Sequence, residues 1–447
     1  MAKPRPPLPP GPYLIVGLAR SGEAAALALR ARGERVIGCD RATAASPGLD
    51  QTAGRLSGAG VEVHLDASGD ALAARAGTLI KSPGVPQNAP AIRAARARSV
   101  PVLGELELAW RMLPNEFVAV TGTNGKTTTT EWIGHIHREA GIPVAVAGNV
   151  GTAVSSLAGR LPAETTVVCE ASSFQLEDTI AFSPEAAAIL NLTEDHLDRH
   201  GTFADYVAAK LRIFANQGNH DVAVAPVDLE VSDLGGCARR VTFGAEPGAE
   251  VSERAGYLWW SEEPLISVSE IVLPGAHNRQ NAMAAAAVSL ARGVGADAVA
   301  AGLRSFAGVA HRLELIAVRE GVSWVNDSKA TNVASTLVAL RALSGGIHLI
   351  AGGRGKGQDF DPLAPLVGKR CRAVYLIGEA AGELATALVR TPVPIRQAGD
   401  LERAVSSARI AARPGETVLL SPACASYDQY QDFEQRGEHF RALVTGW

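Results

Sequence analysis

The chain has 447 residues, more than one hydrophobic core usually organises, so its length predicts two or three domains. Its formal net charge is −4 at pH 7, and without an excess of basic residues it is not expected to bind nucleic acid. The five cysteines lie far apart and form no Cys-x-x-Cys pair, which argues against a disulfide framework or a zinc knuckle and fits a reducing cytoplasm.

The apolar residues occur in short runs along the whole chain. Hydrophobic residues make up 47% of the sequence, and strand-like runs alternate with helix-like ones, which predicts an α/β protein. No run of about 18 apolar residues occurs, so neither a signal peptide nor a membrane-spanning helix is expected. The N-terminal stretch MAKPRPPLPPGP has no apolar core and is expected to form a loose proline-rich leading segment.

Repeated strand–helix pairs follow this segment. Apolar strands are expected at 13–17 and 35–40, and residues 78–85 supply a later strand and turn. Helices are expected to begin near residues 21 and 89. This alternation predicts a doubly wound parallel sheet.

A glycine-containing turn follows the first strand. From Gly17 to Gly22 it reads GLARSG, and Asp40 ends the second strand. The turn is a degraded G-x-G-x-x-G fingerprint, since Ala19 occupies the position of the middle glycine. A nicotinamide cofactor is therefore disfavoured, and a nucleotide diphosphate resting on the helix N-terminus fits better.

A second glycine-containing loop, GTNGKT at residues 122–127, lies between a predicted strand and a helix that begins at Lys126. The full Walker pattern G-x-x-x-x-G-K-[ST] would need glycine where Val120 stands. The strand–loop–helix context is still the one that phosphate binding requires. Backbone N–H groups attract phosphate, Lys126 can reach the terminal phosphates, and Thr127 can reach Mg²⁺. The alternative is an ordinary strand-to-helix turn.

Acidic and histidine residues follow two later strands. Glu170 ends the strand TVVCE, and residues 191–202, NLTEDHLDRHGT, follow the strand AAAILNL. Ligands of an open parallel sheet bind beyond the carboxyl ends of its strands, so Glu170 and His196 are candidates to hold magnesium. A helix-capping role for Glu170 and a solvated loop around His196 are the alternatives.

Two predicted helices carry polar residues in apolar surroundings. Lys210 lies one turn after Tyr206 in FADYVAAKLRIF, where a lysine that extends its ammonium group to solvent would also fit. Asn278 and Asn281 lie one turn apart at a helix start. Asn278 would cap that helix, or both amides would bind an adenine edge.

The last part of the chain again alternates strands and helices. Three of its polar loops follow strands, at residues 326–332, 352–360 and 421–433, and His311-Arg312 precedes them. Because the carboxyl ends of parallel strands meet at one edge of a sheet, these loops are expected to line one site.

Lysine is rare in this chain, since the 42 basic residues include only seven lysines. Four of the seven, Lys126, Lys210, Lys329 and Lys356, fall in the motifs above. Arginine supplies most of the positive charge, so a lysine is expected where a compact point charge or a reactive amine is needed. For any one of these lysines, chance placement is the alternative.

Taken together, these stretches resemble the Mur ligase family of cell-wall amino-acid ligases. The most specific are TGTNGKTT, EASSFQLE, LNLTEDHLDRHG, YVAAKLRIF, HNRQNA, HRLE, NDSKATN and SPACASYDQYQDFEQRG. The resemblance covers essentially all of the chain after its proline-rich start, and the family's phosphate loop has the same short form. It implies three α/β domains: a Rossmann-like domain at 1–104 that binds a UDP-linked substrate, a P-loop-type ATPase domain at 105–308, and a Rossmann-like domain at 309–447 that binds an amino acid.

The resemblance further implies a ligase that forms a C–N bond. ATP would phosphorylate the carboxylate of UDP-N-acetylmuramoyl-L-alanine, and the amine of D-glutamate would attack the acyl phosphate, with release of ADP and phosphate. This reaction belongs to peptidoglycan precursor synthesis in the cytoplasm. Two Mg²⁺ ions are expected with ATP, and the enzyme is expected to be a monomer that binds neither nucleic acid nor membrane.

Roles for individual residues also follow from the resemblance. ATP would be bound by Gly122, Thr123, Asn124, Gly125, Lys126, Thr127, Thr128, Asn278, Asn281, Arg312, Asp327 and Lys329. Magnesium would be held by Thr127, Glu170, His196 and Lys210, the last as a carbamate, and the catalytic residues would be Lys126, His196 and Lys210. The UDP-linked substrate would contact Ser21, Asp40, Ser82 and Asn149. Glutamate would contact Thr331, Lys356, Ser426 and Phe433.

Other functions share part of this pattern. A sister ligase for another amino acid, a folylpolyglutamate synthase or an L-glutamate-adding variant would keep the ATP-binding motifs, and the segment SPACASYDQYQDFEQRG favours the glutamate-adding cell-wall type. An NAD-dependent oxidoreductase would leave the phosphate loop unexplained. A non-catalytic nucleotide switch would leave the polar loops of the last domain unexplained.

Overall fold

The computed structural model describes residues 3–44, 46, 48–149, 151–231, 233–246, 248–355 and 357–446. The chain forms two compact units, which divide between Phe306 and Ala307 and are called unit 1 and unit 2 below. Within these described residues, unit 1 contains two β-sheets and unit 2 contains one, each combined with helices. The α/β class predicted from the sequence is confirmed.

The first sheet of unit 1 is entirely parallel. Its elements in chain order are β1 (Tyr13–Val16), α1 (Arg20–Ala31), β2 (Val36–Cys39), α2 (Leu49–Gly58), β3 (Glu62–His64), β4 (Thr78–Lys81), α3 (Pro90–Ala97), β5 (Val102–Gly104) and α4 (Glu105–Met112). The strand order is β3-β2-β1-β4-β5, so the order reverses between β1 and β4. Such a reversal opens a crevice at the carboxyl ends of the strands, where doubly wound sheets bind ligands.

The packing of α1 explains the last glycine of the GLARSG turn. A Cβ atom at Gly22 would overlap the carbonyl oxygen of Gly17 and crowd the hydroxyl of Ser82. Only glycine therefore lets α1 begin this close to the end of β1.

The second sheet of unit 1 has nine strands. Its elements are β6 (Phe117–Thr121), α5 (Lys126–Glu139), β7 (Val144–Gly148), β8 (Thr166–Glu170), α6 (Ser173–Leu176), β9 (Ala186–Ile189), α7 (Leu197–His200), α8 (Phe203–Leu211), β10 (Val222–Pro226), β11 (Arg239–Gly244), β12 (Val251–Arg254), β13 (Tyr257–Trp260), β14 (Glu263–Ser267), α9 (Ala276–Ala291) and α10 (Ala296–Ser305). The strand order is β14-β13-β12-β11-β10-β9-β6-β8-β7, and only the pairings among β12, β13 and β14 are antiparallel. β6 thus lies between β8 and β9, and the loops after these three strands meet at one edge.

Unit 2 contains a six-stranded sheet. Its elements are β15 (Glu314–Arg319), β16 (Val322–Asn326), α11 (Val333–Ala342), β17 (Ile347–Gly352), α12 (Ala364–Arg370), β18 (Cys371–Ile377), α13 (Ala381–Leu388), β19 (Ile395–Gly399), α14 (Leu401–Ala411), β20 (Thr417–Leu420) and α15 (Phe433–Thr445). The strand order is β15-β16-β20-β17-β18-β19, and only β15 is antiparallel to its neighbour. The loops after β16, β17 and β20 therefore lie side by side, as the sequence predicted.

The N-terminal segment is not loose, so that prediction is wrong. The Lys3 ammonium group donates hydrogen bonds to Ser183 Oγ and to Asp221 Oδ2, each at 2.6 Å. The Arg5 guanidinium lies 4.4 Å from the centre of the Trp110 ring, and only 6% of its side chain is exposed. The prolines restrict the conformations of this segment before it docks, so less conformational entropy is lost when Lys3 and Arg5 make their contacts. Among the described residues, no helix combines the length and apolar character needed to span a bilayer.

Candidate active site

The loop at residues 122–127 connects β6 to α5 and has the backbone of a phosphate-binding loop. Gly122 and Gly125 have φ values of 148° and 83°, which residues with side chains rarely adopt. A Cβ atom at Gly125 would also overlap Oδ1 of Asn281 on α9. The Lys126 ammonium group lies against the loop, where it donates to the carbonyl oxygens of Gly122 at 3.0 Å and Thr123 at 2.8 Å. The alternative of an ordinary turn does not explain why the loop is built so tightly around a lysine.

A carboxylate joins this loop to its neighbours. Glu170, which ends β8 and is 3% exposed, accepts a hydrogen bond from Thr127 Oγ1 at 2.7 Å and one from Asn149 Nδ2 at 3.0 Å. Ser172, not Glu170, caps the following helix α6, so the capping alternative for Glu170 is wrong. Hydroxyl, carboxylate and amide oxygens thus gather beside the phosphate loop, and they are the donors that Mg²⁺ prefers.

Lys210 contacts the same loop from helix α8. It is only 2% exposed, so the alternative of a lysine that reaches solvent is wrong. Its Nζ donates to the carbonyl oxygen of Gly122 at 2.7 Å and lies 4.6 Å from the centre of the Tyr206 ring. Burial, together with the nearby charge of Lys126, lowers the pKa of Lys210 to about 7. A large share of this lysine is therefore a neutral, nucleophilic amine near neutral pH.

His196 differs from Glu170 in being largely solvent-accessible. Its side chain is 48% exposed, and its ring packs against Phe174 at 4.8 Å between centres. The side chain of the neighbouring His200 is only 4% exposed, and its Nε2 lies 3.0 Å from Ser173 Oγ. Among the described side chains, no group of three or more His, Cys, Asp or Glu is arranged to hold a metal. The metal-binding role of His196 stays a prediction, and so does the solvated-loop alternative.

The two asparagines of α9 have different environments. Gly275 occupies the N-cap of α9, so the alternative in which Asn278 caps the helix is wrong. Asn278 is partly exposed and donates to the carbonyl oxygen of Pro274 at 2.8 Å. Asn281 is 5% exposed and supports the phosphate loop at Gly125. Contact with adenine stays a prediction for both.

The predicted contacts to the UDP-linked substrate lie at the crevice of the first sheet. Asp40 Oδ2 accepts a hydrogen bond from the backbone N–H of Leu18 at 2.7 Å, so this carboxylate shapes the turn after β1. Ser82 Oγ donates to the carbonyl oxygen of Gly17 at 2.7 Å across the same turn. Ser21 lies in the first turn of α1. The structure brings these three residues together, and their contacts to substrate stay predictions.

Buried charges hold this crevice against the second sheet. Lys81 is fully buried and forms an ion pair with Asp178 and a second one, at 3.4 Å, with Glu177. Burial raises the pKa of Asp178, and the lysine opposes this change. Arg199, on the short helix α7 that directly follows His196, pairs with Glu177 and donates to the carbonyl oxygen of Val85 at 3.0 Å. The turn after β4 is thereby fixed to α7, next to His196. The sequence did not reveal this link.

In unit 2, the predicted nucleotide contacts Arg312 and Asp327 differ in exposure. Arg312 is exposed, whereas Asp327 is 4% exposed and accepts hydrogen bonds from Ser421 Oγ at 2.7 Å and the backbone N–H of Leu313 at 3.1 Å. Burial raises the pKa of Asp327 to about 7. Both carboxyl oxygens are used inside unit 2, so Asp327 positions the loop after β16 in this structure. Its contact with nucleotide stays a prediction.

The predicted amino-acid contacts follow the strands of unit 2. Thr331 lies in the loop after β16, and Ser426, which is 2% exposed, lies in the loop after β20. Phe433 begins α15, and the Lys329 ammonium group lies 5.8 Å from the centre of its ring. Lys356 is outside the described residues. Arg436, a buried residue that contacts two of these loops, was missed because its partners are distant in sequence.

Comparison with known proteins accounts for this set of loops. Residues 120–289 match the family model of the Mur ligase middle domain, and residues 311–424 match that of the Mur ligase, glutamate ligase domain. A UDP-N-acetylmuramoylalanine–D-glutamate ligase of Acidobacterium capsulatum is 43% identical over 442 residues, which cover 96% of this chain and 95% of that protein. The chain belongs to the Mur ligase family.

Further Mur ligases agree in sequence and in fold. The UDP-N-acetylmuramoylalanine–D-glutamate ligase of Pelotomaculum thermopropionicum is 41% identical over 441 residues, 96% of each chain. The crystal structure of the UDP-N-acetylmuramate-alanine ligase of Thermotoga maritima has a TM-score of 0.59 at 21% identity and covers 98% of this chain and 100% of that one. The MurF ligase of Thermotoga maritima, solved in complex with ADP, has a TM-score of 0.55 at 17% identity over 93% and 90% of the two chains. These two structures show that the Mur ligase fold extends over nearly the whole chain.

Proposed function

We propose that this Mur ligase uses ATP to join D-glutamate to UDP-N-acetylmuramoyl-L-alanine, as the names of its relatives state for them. The observation that carries the proposal is the pairing of Thr127 with Glu170 beside a loop that closes around Lys126. A phosphate loop next to a carboxylate serves phosphoryl transfer, which an oxidoreductase would not need. We further propose that the enzyme acts in the cytoplasm as a monomer, with residues 1–104, 105–308 and 309–447 as its three domains.

The phosphoryl transfer joins two anions, so the protein must lower their repulsion and align them. The backbone N–H groups of the loop at 122–127 and the ammonium group of Lys126 attract the phosphates of ATP. Because Gly125 has no Cβ atom, the side chain of Asn281 packs directly against this loop. Asn278 and Asn281 contact the adenine, and Arg312, Asp327 and Lys329 of unit 2 bind the rest of the nucleotide.

The donor set beside the loop fits magnesium. Thr127 and Glu170 would hold one ion, and His196 would contribute to a second. Bound magnesium would neutralise the charge on the terminal phosphates. Asn149, whose Nδ2 donates to Glu170 Oε1, holds that carboxylate in place and would contact the muramoyl substrate.

Lys210 is suited to carbamylation. A neutral amine attacks CO₂ through its lone pair, and the burial that lowers the pKa of Lys210 to about 7 makes that form abundant. The carbamate would turn a cation beside Gly122 into an anionic oxygen ligand. An arginine could not undergo this reaction because it is never deprotonated in proteins. A carbamate resonance in ¹³C NMR after addition of ¹³C-bicarbonate is expected for the native enzyme and not for K210R; its absence from both would remove this part of the proposal.

The UDP-linked substrate and then D-glutamate react with the bound nucleotide's terminal phosphoryl group in two steps. The carboxylate of the UDP-linked substrate, bound through Ser21, Asp40, Ser82 and Asn149, takes the terminal phosphoryl group of ATP. The amine of D-glutamate attacks the resulting acyl phosphate, the amide forms, and phosphate leaves. Thr331, Lys356, Ser426 and Phe433 hold the two carboxylates of glutamate.

Phosphate release tests the proposal. The purified protein is given ATP, Mg²⁺ and UDP-N-acetylmuramoyl-L-alanine, and D-glutamate and L-glutamate are supplied in separate reactions. Phosphate release that depends on the precursor and on D-glutamate is expected. Release that depends on L-glutamate and not on D-glutamate would establish the L-glutamate-adding alternative. If neither glutamate caused phosphate release, the protein would not be a glutamate ligase.

Two isosteric variants on α5 provide a matched pair. Thr127→Val removes the hydroxyl that contacts Glu170 and is expected to lower kcat at least about a hundredfold. Thr130→Val, three residues further along the same helix, removes a buried hydroxyl that has no hydrogen-bond partner among the described residues, and is expected to keep near-native activity. Equal loss in both variants would show that the effect comes from the packing of α5.

A further inference from the structure

A buried arginine of unit 2 contacts the loops that carry the proposed amino-acid contacts. Arg436 lies on α15 and is 1% exposed. It donates from Nε to Ser328 Oγ at 3.0 Å and from Nη2 to the carbonyl oxygens of Ser328 at 2.9 Å and Cys424 at 3.2 Å. Its Nη1 donates to the carbonyl oxygen of Ala425 at 3.3 Å. One planar guanidinium thus ties the loop after β16 to the loop after β20.

A third loop closes against the same group. Gly353, directly after β17, has a φ of 131°, and a Cβ atom there would overlap the carbonyl oxygen of Ala425 and lie 3.2 Å from Arg436 Nη1. The next residue, Arg354, exchanges two backbone hydrogen bonds with Ala425, at 2.9 and 3.1 Å. The loops after β16, β17 and β20 therefore all meet at this guanidinium.

Arg436 keeps a buried positive charge that no carboxylate of the described residues contacts directly. Among the described residues it forms no ion pair, and Asp428 acts on it only through space. Burial lowers the pKa of Arg436 to about 10, so the guanidinium remains protonated at neutral pH. A buried cation without an anionic partner is costly, and hydrogen bonds to carbonyl groups recover only part of that cost. A charge kept under such conditions points to an anion that binds nearby.

The residues that Arg436 holds adjoin the proposed contacts to glutamate. Ala425 directly precedes Ser426, and Ser328 lies in the same loop as Thr331. Ser328 Oγ also donates to the carbonyl oxygen of Phe433 at 2.8 Å. We infer that Arg436 is a positioning and specificity-determining residue of the acceptor site: its planar guanidinium fixes the relative positions of the three loops, and its unpaired charge favours an amino acid with two carboxylates. This inference rests on the proposed glutamate ligation.

The test compares two variants of Arg436 with a control on the same helix. R436Q removes the charge, and R436K keeps the charge but cannot donate to Ser328, Cys424 and Ala425 in one plane. The control is R441Q, which removes an arginine that pairs with Glu314 at the partly exposed surface of α15. KM is measured for ATP, for the UDP-linked precursor and for the acceptor, with D-glutamate and the neutral D-glutamine as alternative acceptors.

The expected changes are confined to the acceptor. R436Q should raise the KM for D-glutamate by about tenfold or more and reduce the preference for D-glutamate over D-glutamine by a similar factor, while the KM for ATP and for the precursor change by less than about twofold. R436K should raise the KM for D-glutamate less and keep the preference. R441Q should match the native enzyme in all of these values.

Three outcomes would overturn the inference. They are an unchanged acceptor KM in R436Q, an unchanged preference for the dicarboxylate in R436Q, or an equal rise in KM for all three substrates in R436K. If R436Q fails to fold, R436K decides alone, because an acceptor KM equal to that of the native enzyme contradicts a positioning role. A native enzyme that ligates no glutamate would instead refute the proposed function, and the two failures are therefore distinguishable.

Discussion

Replacing Asp327 with asparagine should stabilise unit 2 at alkaline pH. Asp327 is 4% exposed, and burial raises its pKa from 3.8 to about 7. The folded unit therefore binds a proton more tightly than the unfolded chain does. The stability that this group contributes is fully present below about pH 4 and is lost as the pH rises toward 7. Wild-type unit 2 should accordingly be destabilised by Asp327 at pH 8 and not at pH 4.

The size of this stabilisation follows from the pKa shift of Asp327. A difference of about three pKa units corresponds to about 4 kcal/mol, since each unit is worth about 1.4 kcal/mol. The amide of asparagine can replace both hydrogen bonds, because its oxygen accepts from the N–H of Leu313 and its nitrogen donates to Ser421. The Ser421 hydroxyl can then donate to Thr336 Oγ1, which already lies 3.1 Å away. Asp327→Asn should thus gain up to about 4 kcal/mol at pH 8 and close to nothing at pH 4.

Hydrogen exchange measured by mass spectrometry can follow unit 2 separately from unit 1. Peptides from β16 and β20 report the free energy of unfolding of this sheet at each pH. The free energy of unfolding of the variant is compared with that of the wild type at each pH, because other groups that titrate contribute equally to both. A difference that does not change between pH 4 and pH 8, or a variant that is less stable at pH 8, would refute the reasoning.

Three further changes have defined outcomes. Lys81→Met leaves Asp178 buried without its partner, and a urea titration of unit 1 should show a loss of about 3–5 kcal/mol in the free energy of unfolding. The double change of Lys81 to Met and Asp178 to Leu should recover most of that loss. Equal instability of both variants would contradict this reasoning. Gly22→Ala places a Cβ atom onto the carbonyl oxygen of Gly17 and should weaken binding of the UDP-linked precursor in calorimetry, with the KM for ATP unchanged; native affinity would contradict it. Arg5→Ala should lower the melting temperature by several degrees through loss of packing on Trp110, and an unchanged melting curve would show that the N-terminal segment is dispensable.

The sequence predicted the sheets well for a physical reason. Strands of a parallel sheet are buried on both faces, so they appear as short continuous apolar runs, as in β1 and β8. The turns between them carry glycines that the backbone requires, and Gly125 with its positive φ is one of these. Since ligands bind at the carboxyl ends of such strands, locating the strands also located the phosphate loop and Glu170.

The long-range polar contacts could not be predicted. Lys81 and Asp178 are 97 positions apart, and Arg436 and Ser328 are 108 apart. No periodic pattern within one helix or strand encodes such pairs, because the partners are set by how whole elements pack. Lys81 is one of only seven lysines, and Arg436 lies in the segment SPACASYDQYQDFEQRG, but neither feature identifies the partner of the side chain. The same limit explains why the docking of the proline-rich N-terminus was missed.

The transfer of one oxygen atom tests the central claim most directly. UDP-N-acetylmuramoyl-L-alanine is prepared with ¹⁸O at both oxygens of the carboxylate of its alanine, and the phosphate released during ligation is examined by mass spectrometry. If ATP phosphorylates that carboxylate, each phosphate released carries one ¹⁸O atom from the precursor. Unlabelled phosphate, released at the same rate as the amide forms, would show that no acyl phosphate is made and would contradict the account.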